Sequence, residues 1–183
     1  YKKRTLRVFL PENYDGKKRF PVLYFLDAQN MVDRYTTLYG EWDIDVHDYN
    51  LIKKGSTGFI AVGVDCPPDG IARANEMCKE LPFSSTALRF SQKEFPIKPS
   101  FKYLSKDYIN LIKPLIDKTF KTLPDKKHTA IGGASMGGLF AFDIVRKNPK
   151  VFSFALSFSP AFSLFEKDLY FTKTYLKMQY KLV

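Results

Sequence analysis

The sequence is poor in the residues that build metal sites and disulfide frameworks. Its 183 residues include two histidines and two cysteines. Cys66 and Cys78 lack the close pairing of a zinc-binding motif, and one pair is too few for a disulfide framework. We therefore expect no metal site, and a reducing, cytoplasmic compartment in which thiols stay free.

Long apolar runs are also missing from the sequence. No stretch approaches the roughly 20 apolar residues of a membrane span. The first residues, Tyr1-Lys2-Lys3-Arg4, do not form the apolar core of a signal peptide. A phosphate-binding loop and a dinucleotide-binding glycine motif are absent as well. The sequence therefore predicts no membrane partner and no cofactor.

Acidic residues are outnumbered by basic ones, 19 to 29, which gives a net charge of +10. Such a charge raises the question of a nucleic-acid partner. The lysines and arginines, however, fall in short scattered runs that are not interleaved with aromatic residues. We interpret them as a solvated surface and expect no nucleic-acid partner. A nucleic-acid-associated basic domain remains an alternative, which salt-dependent retention on nucleic acid would support.

The composition is that of a globular protein, with 45% apolar and 26% charged residues. Phenylalanine and tyrosine are abundant, with 17 and 11 copies, and they are spread along the whole chain. We interpret them as core residues. The length suits one domain, residues 1–183, with a sizeable core.

Strand and helix patterns alternate along the chain. An alternating basic and apolar segment at residues 4–10 predicts a strand with one exposed face. Continuous apolar runs predict strands buried on both faces at residues 21–26, 59–64, 129–133 and 151–158. Helical spacing is present in residues 40–55, from residue 100 onward, and in residues 136–147. This alternation predicts an α/β fold whose mostly parallel sheet is covered by helices on both faces.

The spacing also predicts which helix faces are buried. In the first helix, the residues expected on one face are Trp42, Val46 and Tyr49. In the helix after Ser100, Pro114 is expected to kink a face formed by Phe101, Leu104, Tyr108, Leu111 and Leu115. Pro124 is expected to close that helix. Residues 65–99 have no clear period, so we expect a long functional or mobile connection there.

The run Gly133-Ala134-Ser135-Met136-Gly137 fits the pattern G-x-S-x-G. An apolar strand precedes it and a helix rich in small residues follows, which is the context that the pattern requires. A serine there occupies a tight turn with strained backbone angles, so its neighbours must be small. The helix N-terminus favours negative charge beside it. We interpret Ser135 as a catalytic nucleophile.

Further motifs cover nearly the whole chain: TLRVFLP at 5–11, PVLYFLDAQN at 21–30, EWD at 41–43, VGVD at 62–65, RANE at 73–76 and SFSPAF at 157–162, besides residues 117–125 and 132–138. In this order they resemble the Putative esterase family of α/β-hydrolases, which includes esterase D, enterochelin esterases and feruloyl or carbohydrate acetyl esterases. The resemblance implies the α/β-hydrolase fold. It also implies hydrolysis of a small-molecule carboxylic ester through an acyl-enzyme on Ser135.

The resemblance further implies that the backbone amides of Gln29 and Met136 form an oxyanion hole. Ala28 stands where the family usually has glycine, so a positive φ at that position would strain the loop. Three residues resemble family positions near the mouth of the site and are candidates for a substrate pocket: Trp42, Arg73 and Glu76. The alternatives are core packing for Trp42 and a salt bridge that pins the long connection for the other two.

A nucleophilic serine needs a histidine base and an acid that orients it, and in α/β-hydrolases both follow the serine. Both histidines of this sequence precede Ser135. His128 begins the same strand, roughly 20 Å away by strand rise, and we interpret His47 as a partly buried surface residue. Three carboxylates are interpreted as surface charges: Asp143, Glu166 and Asp168.

We therefore expect the C-terminal part of the domain, with the triad acid and histidine, to lie beyond residue 183. The last strand, residues 151–158, should then present an uncovered edge that favours self-association. The alternative is a catalytically inactive protein that uses the same fold for binding or as a scaffold.

Overall fold

The computed structural model describes residues 3–37, 40–79 and 97–162. The strands of this part are β1 (Leu6–Phe9), β2 (Val22–Leu26), β3 (Ile60–Val64), β4 (Thr129–Ala134) and β5 (Phe154–Phe158). Its helices are α1 (Ile44–Lys53), α2 (Gly70–Met77), α3 (Phe101–Asp107), α4 (Lys113–Thr119) and α5 (Met136–Lys147). A π-helical turn, Tyr108–Ile112, joins α3 to α4, and 3-10 turns occupy Ala28–Asn30 and Lys126–His128.

The strands form a sheet in the order β1-β3-β2-β4-β5. β1 runs antiparallel to β3, and the remaining neighbours are parallel. The carboxyl ends of β2, β3 and β4 therefore share one edge of the sheet, and the segments that follow them meet there. The predicted mostly parallel α/β sheet is confirmed.

Helices cover both faces of the sheet, as predicted. Alternate residues of β2 point to opposite faces. On one face, Tyr24 and Leu26 join a buried cluster with residues from α3, α4 and α5, among them Leu104, Ile116 and Phe140. On the other face, Phe25 belongs to a smaller cluster against which Trp42 and Ile44 pack. Within the described chain, no helix is long and apolar enough to cross a membrane.

The segment predicted to be an irregular connection contains a helix. The side chain of Asp69 accepts hydrogen bonds from the N–H groups of Ile71 and Ala72, which caps the start of α2. Its buried residues, Ala74 and Met77, lie three apart on one face. The prediction for residues 65–99 is therefore wrong over 70–77, because two buried positions are too few to give a visible period. Residues 80–96 of that connection lie outside the described chain.

α1 buries a different face from the predicted one. Val46 and Tyr49 are 50% and 42% exposed, whereas Asp48 is 1% exposed. The Asp48 carboxylate accepts the backbone N–H of Phe59 at 2.9 Å, which ties the helix to the start of β3. The predicted face is wrong because a backbone hydrogen bond from a distant segment lets an acid take a buried position.

The buried face of the second long helix shifts by one residue at the π-helical turn. Leu111 and Leu115 are 58% and 52% exposed, contrary to prediction, and Ile116 is 1% exposed. A π-turn inserts one residue into the helical ladder, so the buried position moves from 115 to 116. Pro114 gives the physical reason, since it lacks an N–H and its ring crowds the preceding turn. The helix also ends at Thr119 rather than at Pro124.

β5 forms one edge of the sheet in the described chain. It begins at Phe154, three residues later than predicted. Phe154 and Phe158 are 52% and 57% exposed. An exposed apolar edge strand presents a surface on which another strand can pair. Self-association through this edge stays a prediction.

The one-residue shift at the π-turn is testable with two neighbouring aliphatic residues. Replacing the buried Ile116 by Ala should lower the free energy of unfolding by about 2–5 kcal/mol, because it removes packed methyl groups and leaves a cavity. The control, Leu115→Ala, should change it by no more than about 0.5 kcal/mol, since Leu115 is mostly exposed. Urea unfolding followed by circular dichroism measures both values. A larger loss for Leu115→Ala would contradict the shifted face.

The buried carboxyl of Asp48 predicts a pH dependence. Burial raises the pKa of Asp48, and the hydrogen bond from Phe59 offsets this only in part. Because the folded protein favours the protonated carboxyl, protonation of Asp48 adds to the free energy of unfolding. This contribution is complete below the ordinary Asp pKa of about 4, and it is lost as pH rises through the raised pKa of the folded state. Asp48→Asn stays neutral and keeps the acceptor for Phe59, so it should gain stability relative to wild type between about pH 3 and 7.

Asp15 provides a control of opposite sign for this measurement. Its exposed carboxylate accepts the backbone N–H groups of Lys18 and Lys17, and these bonds lower its pKa. The ionised Asp15 carboxylate therefore adds to the free energy of unfolding above the ordinary Asp pKa, and this contribution is lost as pH falls through the lowered pKa of the folded state. Asp15→Asn should therefore lose stability relative to wild type as pH rises. Urea titrations at several pH values test both signs, and parallel trends for the two variants would refute the assignment for Asp48.

Candidate active site at the carboxyl edge of the sheet

Ser135 lies on a sharp turn between β4 and α5. Its backbone angles, φ 56 and ψ −118, fall where L-residues are rarely found. The N–H of Ser135 donates to the carbonyl of Phe158 at 2.9 Å, and its carbonyl accepts from the N–H of Ala161 at 3.1 Å. These bonds tie the strained turn to the end of β5 and to the segment after it, while Ser135 remains exposed.

Glycines around this turn allow backbone segments to approach closely. A Cβ on Gly133 would lie 2.7 Å from the carbonyl carbon of Gly137, and one on Gly138 would lie 3.0 Å from the carbonyl oxygen of Gly133. A Cβ on Gly137 would lie 3.2 Å from Oδ2 of Asp27. β4, the first turn of α5 and the turn after β2 are therefore packed together at one point. The small-residue requirement inferred from G-x-S-x-G has this structural cause.

The chain leaves β2 through a left-handed residue, Asp27, with φ 58 and ψ 49. The N–H of Asn30 donates to the carbonyl of Asp27 at 3.0 Å and closes the 3-10 turn. The positive φ of this loop is thus at Asp27 and not at Ala28, so the strain considered for Ala28 does not arise. Ala28 is fully buried, and its Cβ occupies the space beside Gly63, where an added Cβ would approach it to 2.7 Å.

Gln29 is held through its side chain and its main chain. Its Nε2–H donates to Sγ of Cys66 at 3.0 Å, and its Oε1 accepts the N–H of Cys66 at 3.1 Å. Its carbonyl accepts the hydroxyl of Thr36 at 2.7 Å. Burial raises the pKa of the Cys66 thiol, and the charge of Asp27 raises it further, which favours the neutral thiol. Gln29 is therefore anchored between the end of β2 and the segment after β3.

Gln29 and Met136 both lie at the beginning of helical turns. Gln29 is the second residue of the 3-10 turn, and Met136 is the first residue of α5. The first N–H groups of a helix have no acceptor within that helix, and they carry the positive end of its dipole. Both residues follow neighbouring parallel strands, β2 and β4. This placement puts the two amides at the same sheet edge as Ser135.

The three candidate pocket residues make protein contacts. The ring of Trp42 packs on Phe25 with centroids 5.8 Å apart. The backbone N–H of Trp42 donates to the carbonyl of Asn30 at 2.7 Å. Arg73 forms a two-point ion pair with Asp27, with Nε–Oδ1 and Nη2–Oδ2 distances of 2.8 Å. Glu76 pairs with Arg4, which precedes β1. Trp42 and Arg73 thus lie against the turn that carries Gln29, and Glu76 faces the N-terminal segment.

The two histidines lie in different parts of the fold. His128 precedes β4, so the six residues of that strand separate it from Ser135, and its Nδ1 is 2.7 Å from Oδ2 of Asp125. His47 is exposed on α1 and not partly buried as predicted. No cluster of three or more metal-ligating side chains occurs among the residues that the structure describes.

Asp143 differs from its prediction as a surface charge. It is 1% exposed on α5 and forms ion pairs of 3.1 Å with Lys79 and Arg146. The prediction is wrong because Lys79, two residues after the end of α2, reaches Asp143 only in the folded chain. The other two carboxylates considered with it, Glu166 and Asp168, lie outside the described residues.

The family model described as Putative esterase matches residues 1–173 of the chain. The chain belongs to this family. It is also 25% identical over 167 residues to the ferri-bacillibactin esterase BesA of Bacillus subtilis (strain 168). That match covers 86% of this chain and 54% of the relative, so the chain spans about half the length of the curated protein it matches. The family expected from the motifs is confirmed.

Solved structures that share the fold of this chain include esterases. The BES protein from Bacillus cereus has a TM-score of 0.65 and 22% identity, with 89% of this chain and 57% of that chain covered. A ferulic acid esterase from Anaeromyces mucronatus has a TM-score of 0.59 and 21% identity, with 86% and 52% covered. This esterase-family chain therefore has the α/β-hydrolase fold, as expected.

Sequence reasoning missed two residues of the site, Asp27 and Cys66. Asp27 stands directly after a buried strand, which is a signal for the carboxyl edge of a parallel sheet. Its partner Arg73 is 46 positions away, however, so the ion pair is not visible in the sequence. The sequence predicts only a free thiol for Cys66, because its contact with Gln29 depends on the order of the strands in the sheet.

The backbone approach at the elbow predicts a steric cost for one methyl group. Gly133→Ala should lower the free energy of unfolding by about 1–3 kcal/mol, because its Cβ would meet the backbone of Gly137 and could be accommodated only by moving α5. Gly70→Ala is the matched control, since an added Cβ there would meet nothing within 4 Å. It should leave stability unchanged or raise it by about 0.4–1 kcal/mol. Equal melting temperatures of Gly133→Ala and wild type would contradict the close packing.

Proposed function

We propose that the protein is a serine-dependent carboxylic ester hydrolase with Ser135 as its nucleophile. The observation that carries this proposal is the strained, exposed position of Ser135 at the end of β4. The cost of such a backbone, roughly 1–3 kcal/mol, is characteristic of residues whose position matters for chemistry. The names of two relatives, a ferri-bacillibactin esterase and a ferulic acid esterase, also support ester hydrolysis.

The proposed reaction is acyl transfer in two steps. The Oγ of Ser135 attacks the ester carbonyl, its proton passes to a base, and the alcohol leaves with a proton returned to it. Water then attacks the acyl-enzyme and releases the carboxylic acid. The amides of Gln29 and Met136 are proposed to donate to the oxyanion in both steps, supported by their position at two helical N-termini beside Ser135.

The base and its orienting acid are proposed to come from a segment beyond residue 183. Two observations support this. His128 lies at the opposite end of β4 from the nucleophile, roughly 20 Å away by strand rise, and the chain spans 54% of its curated relative. The proposed substrates are small-molecule carboxylic esters. An inactive binding or scaffold protein is less well supported, because the strained serine would then be retained without a use.

A fluorophosphonate probe tests the nucleophile in the complete protein. The probe should label wild type and fail to label Ser135→Ala, whose turnover of p-nitrophenyl acetate should fall by at least about 10³-fold. Ser153→Ala is the control, because Ser153 is exposed beside the start of β4, with its N–H bonded to the Thr129 carbonyl. This control should keep both labelling and turnover. Labelling that persists in Ser135→Ala would overturn the assignment.

A further inference from the structure

We infer that the ion pair between Arg73 and Asp27 is a positioning device for the oxyanion hole, and that Arg73 acts on catalysis through Asp27 rather than by binding substrate. The inference rests on the proposed function. It concerns three elements that meet at the Asp27 carboxylate: the turn that carries Gln29, the first turn of α5, and α2.

Asp27 determines the path of the chain into the 3-10 turn. Its left-handed conformation is uncommon for a residue with a side chain and persists only when neighbouring contacts hold it. Its carbonyl closes the turn through Asn30, and Gln29 follows two residues later. A rotation of the backbone at Asp27 would therefore redirect the N–H of Gln29.

Arg73 fixes the orientation of the Asp27 carboxylate. Two parallel hydrogen bonds of 2.8 Å join them, and this fork geometry determines the plane of the carboxylate as well as its distance. The side chain of Asp27 is 4% exposed and that of Arg73 is 22% exposed. Water therefore has little access to replace these bonds.

The same carboxylate lies against the nucleophile elbow. A Cβ added to Gly137 would lie 3.2 Å from Oδ2 of Asp27, so the carboxylate lies beside the first turn of α5. Met136, the other proposed donor, immediately precedes Gly137. Asp27 thus sets the spacing between the elements that carry the two donor amides. With Arg73 in place its negative charge is compensated, so it does not repel the oxyanion that forms nearby.

α2 holds Arg73 in a fixed position. Asp69 caps the helix at its start. The carbonyl of Asn75, in the same helix, accepts both the N–H and the hydroxyl of Ser100, at 2.6 and 3.0 Å. Arg73 is thereby anchored independently of the turn that it holds.

The experiment uses the complete protein and measures p-nitrophenyl acetate hydrolysis, with kcat normalised to the fraction of Ser135 that a fluorophosphonate labels. Arg73→Lys keeps the charge but loses the two-point geometry. We expect its kcat to fall about 10–100-fold. This loss is smaller than the roughly 10²–10³-fold loss in kcat that follows complete removal of one oxyanion-hole donor. KM should stay within about threefold, because this small neutral ester carries no anionic group that could form an ion pair with arginine. Asp27→Asn should show the same kcat loss, and Arg73→Lys/Asp27→Asn should be no worse than either single variant.

Arg4→Lys is the control. It weakens the other arginine–carboxylate pair of α2, which does not touch the turn that carries Gln29. It should keep wild-type kcat even where its melting temperature falls as much as that of Arg73→Lys. Should Arg73→Lys keep its kcat, raise only KM, or lose no more activity than Arg4→Lys, the positioning role is refuted. If wild type itself lacks turnover that depends on Ser135, the proposed function falls, and this inference with it.

Discussion

The close approach of backbone segments at the carboxyl edge of the sheet is the constraint on which the site depends. A Cβ at Gly133 would lie 2.7 Å from the backbone of Gly137. A Cβ at Gly63 would lie 2.7 Å from the Cβ of Ala28 and 2.8 Å from the backbone carbonyl oxygen of Phe25. Such contacts leave no room for adjustment in an interior packed at crystal-like density. The positions of the nucleophile turn and of the turn after β2 are thus set by the spacing of β2, β3 and β4.

Electrostatics at this edge follow from the burial of Asp27. A carboxylate that is 4% exposed is costly unless it is paired and hydrogen-bonded. Arg73 meets both requirements, and the nearby N-terminus of α5 is favourable to the same negative charge. The two charges of the pair compensate each other, and α5 begins directly after Ser135 with the positive end of its dipole. Buried charge and strained backbone are therefore parts of one arrangement.

Much of the fold could be predicted from local pattern. The apolar runs located four strands to within a few residues, and G-x-S-x-G located the elbow, because a strand, a tight turn and a helix each depend on neighbouring residues. Helix faces were predicted less well. Pro114 introduces a π-turn that moves the buried position from Leu115 to Ile116, and Asp48 is buried by a bond to Phe59. Both effects need a partner or a backbone irregularity that hydrophobic periodicity does not record.

The sequence by itself determined the order of the strands and of the helices other than α2, the glycine-lined turn at Ser135, and the esterase family through motifs at known spacing. Only the tertiary structure decided that Asp27 rather than Ala28 takes the left-handed conformation, that Arg73 is paired with it, and that Cys66 anchors Gln29. These contacts join residues 37 and 46 positions apart. They exist because β3 inserts between β1 and β2, and that choice of neighbours is made by packing of the whole sheet rather than by any local run of residues.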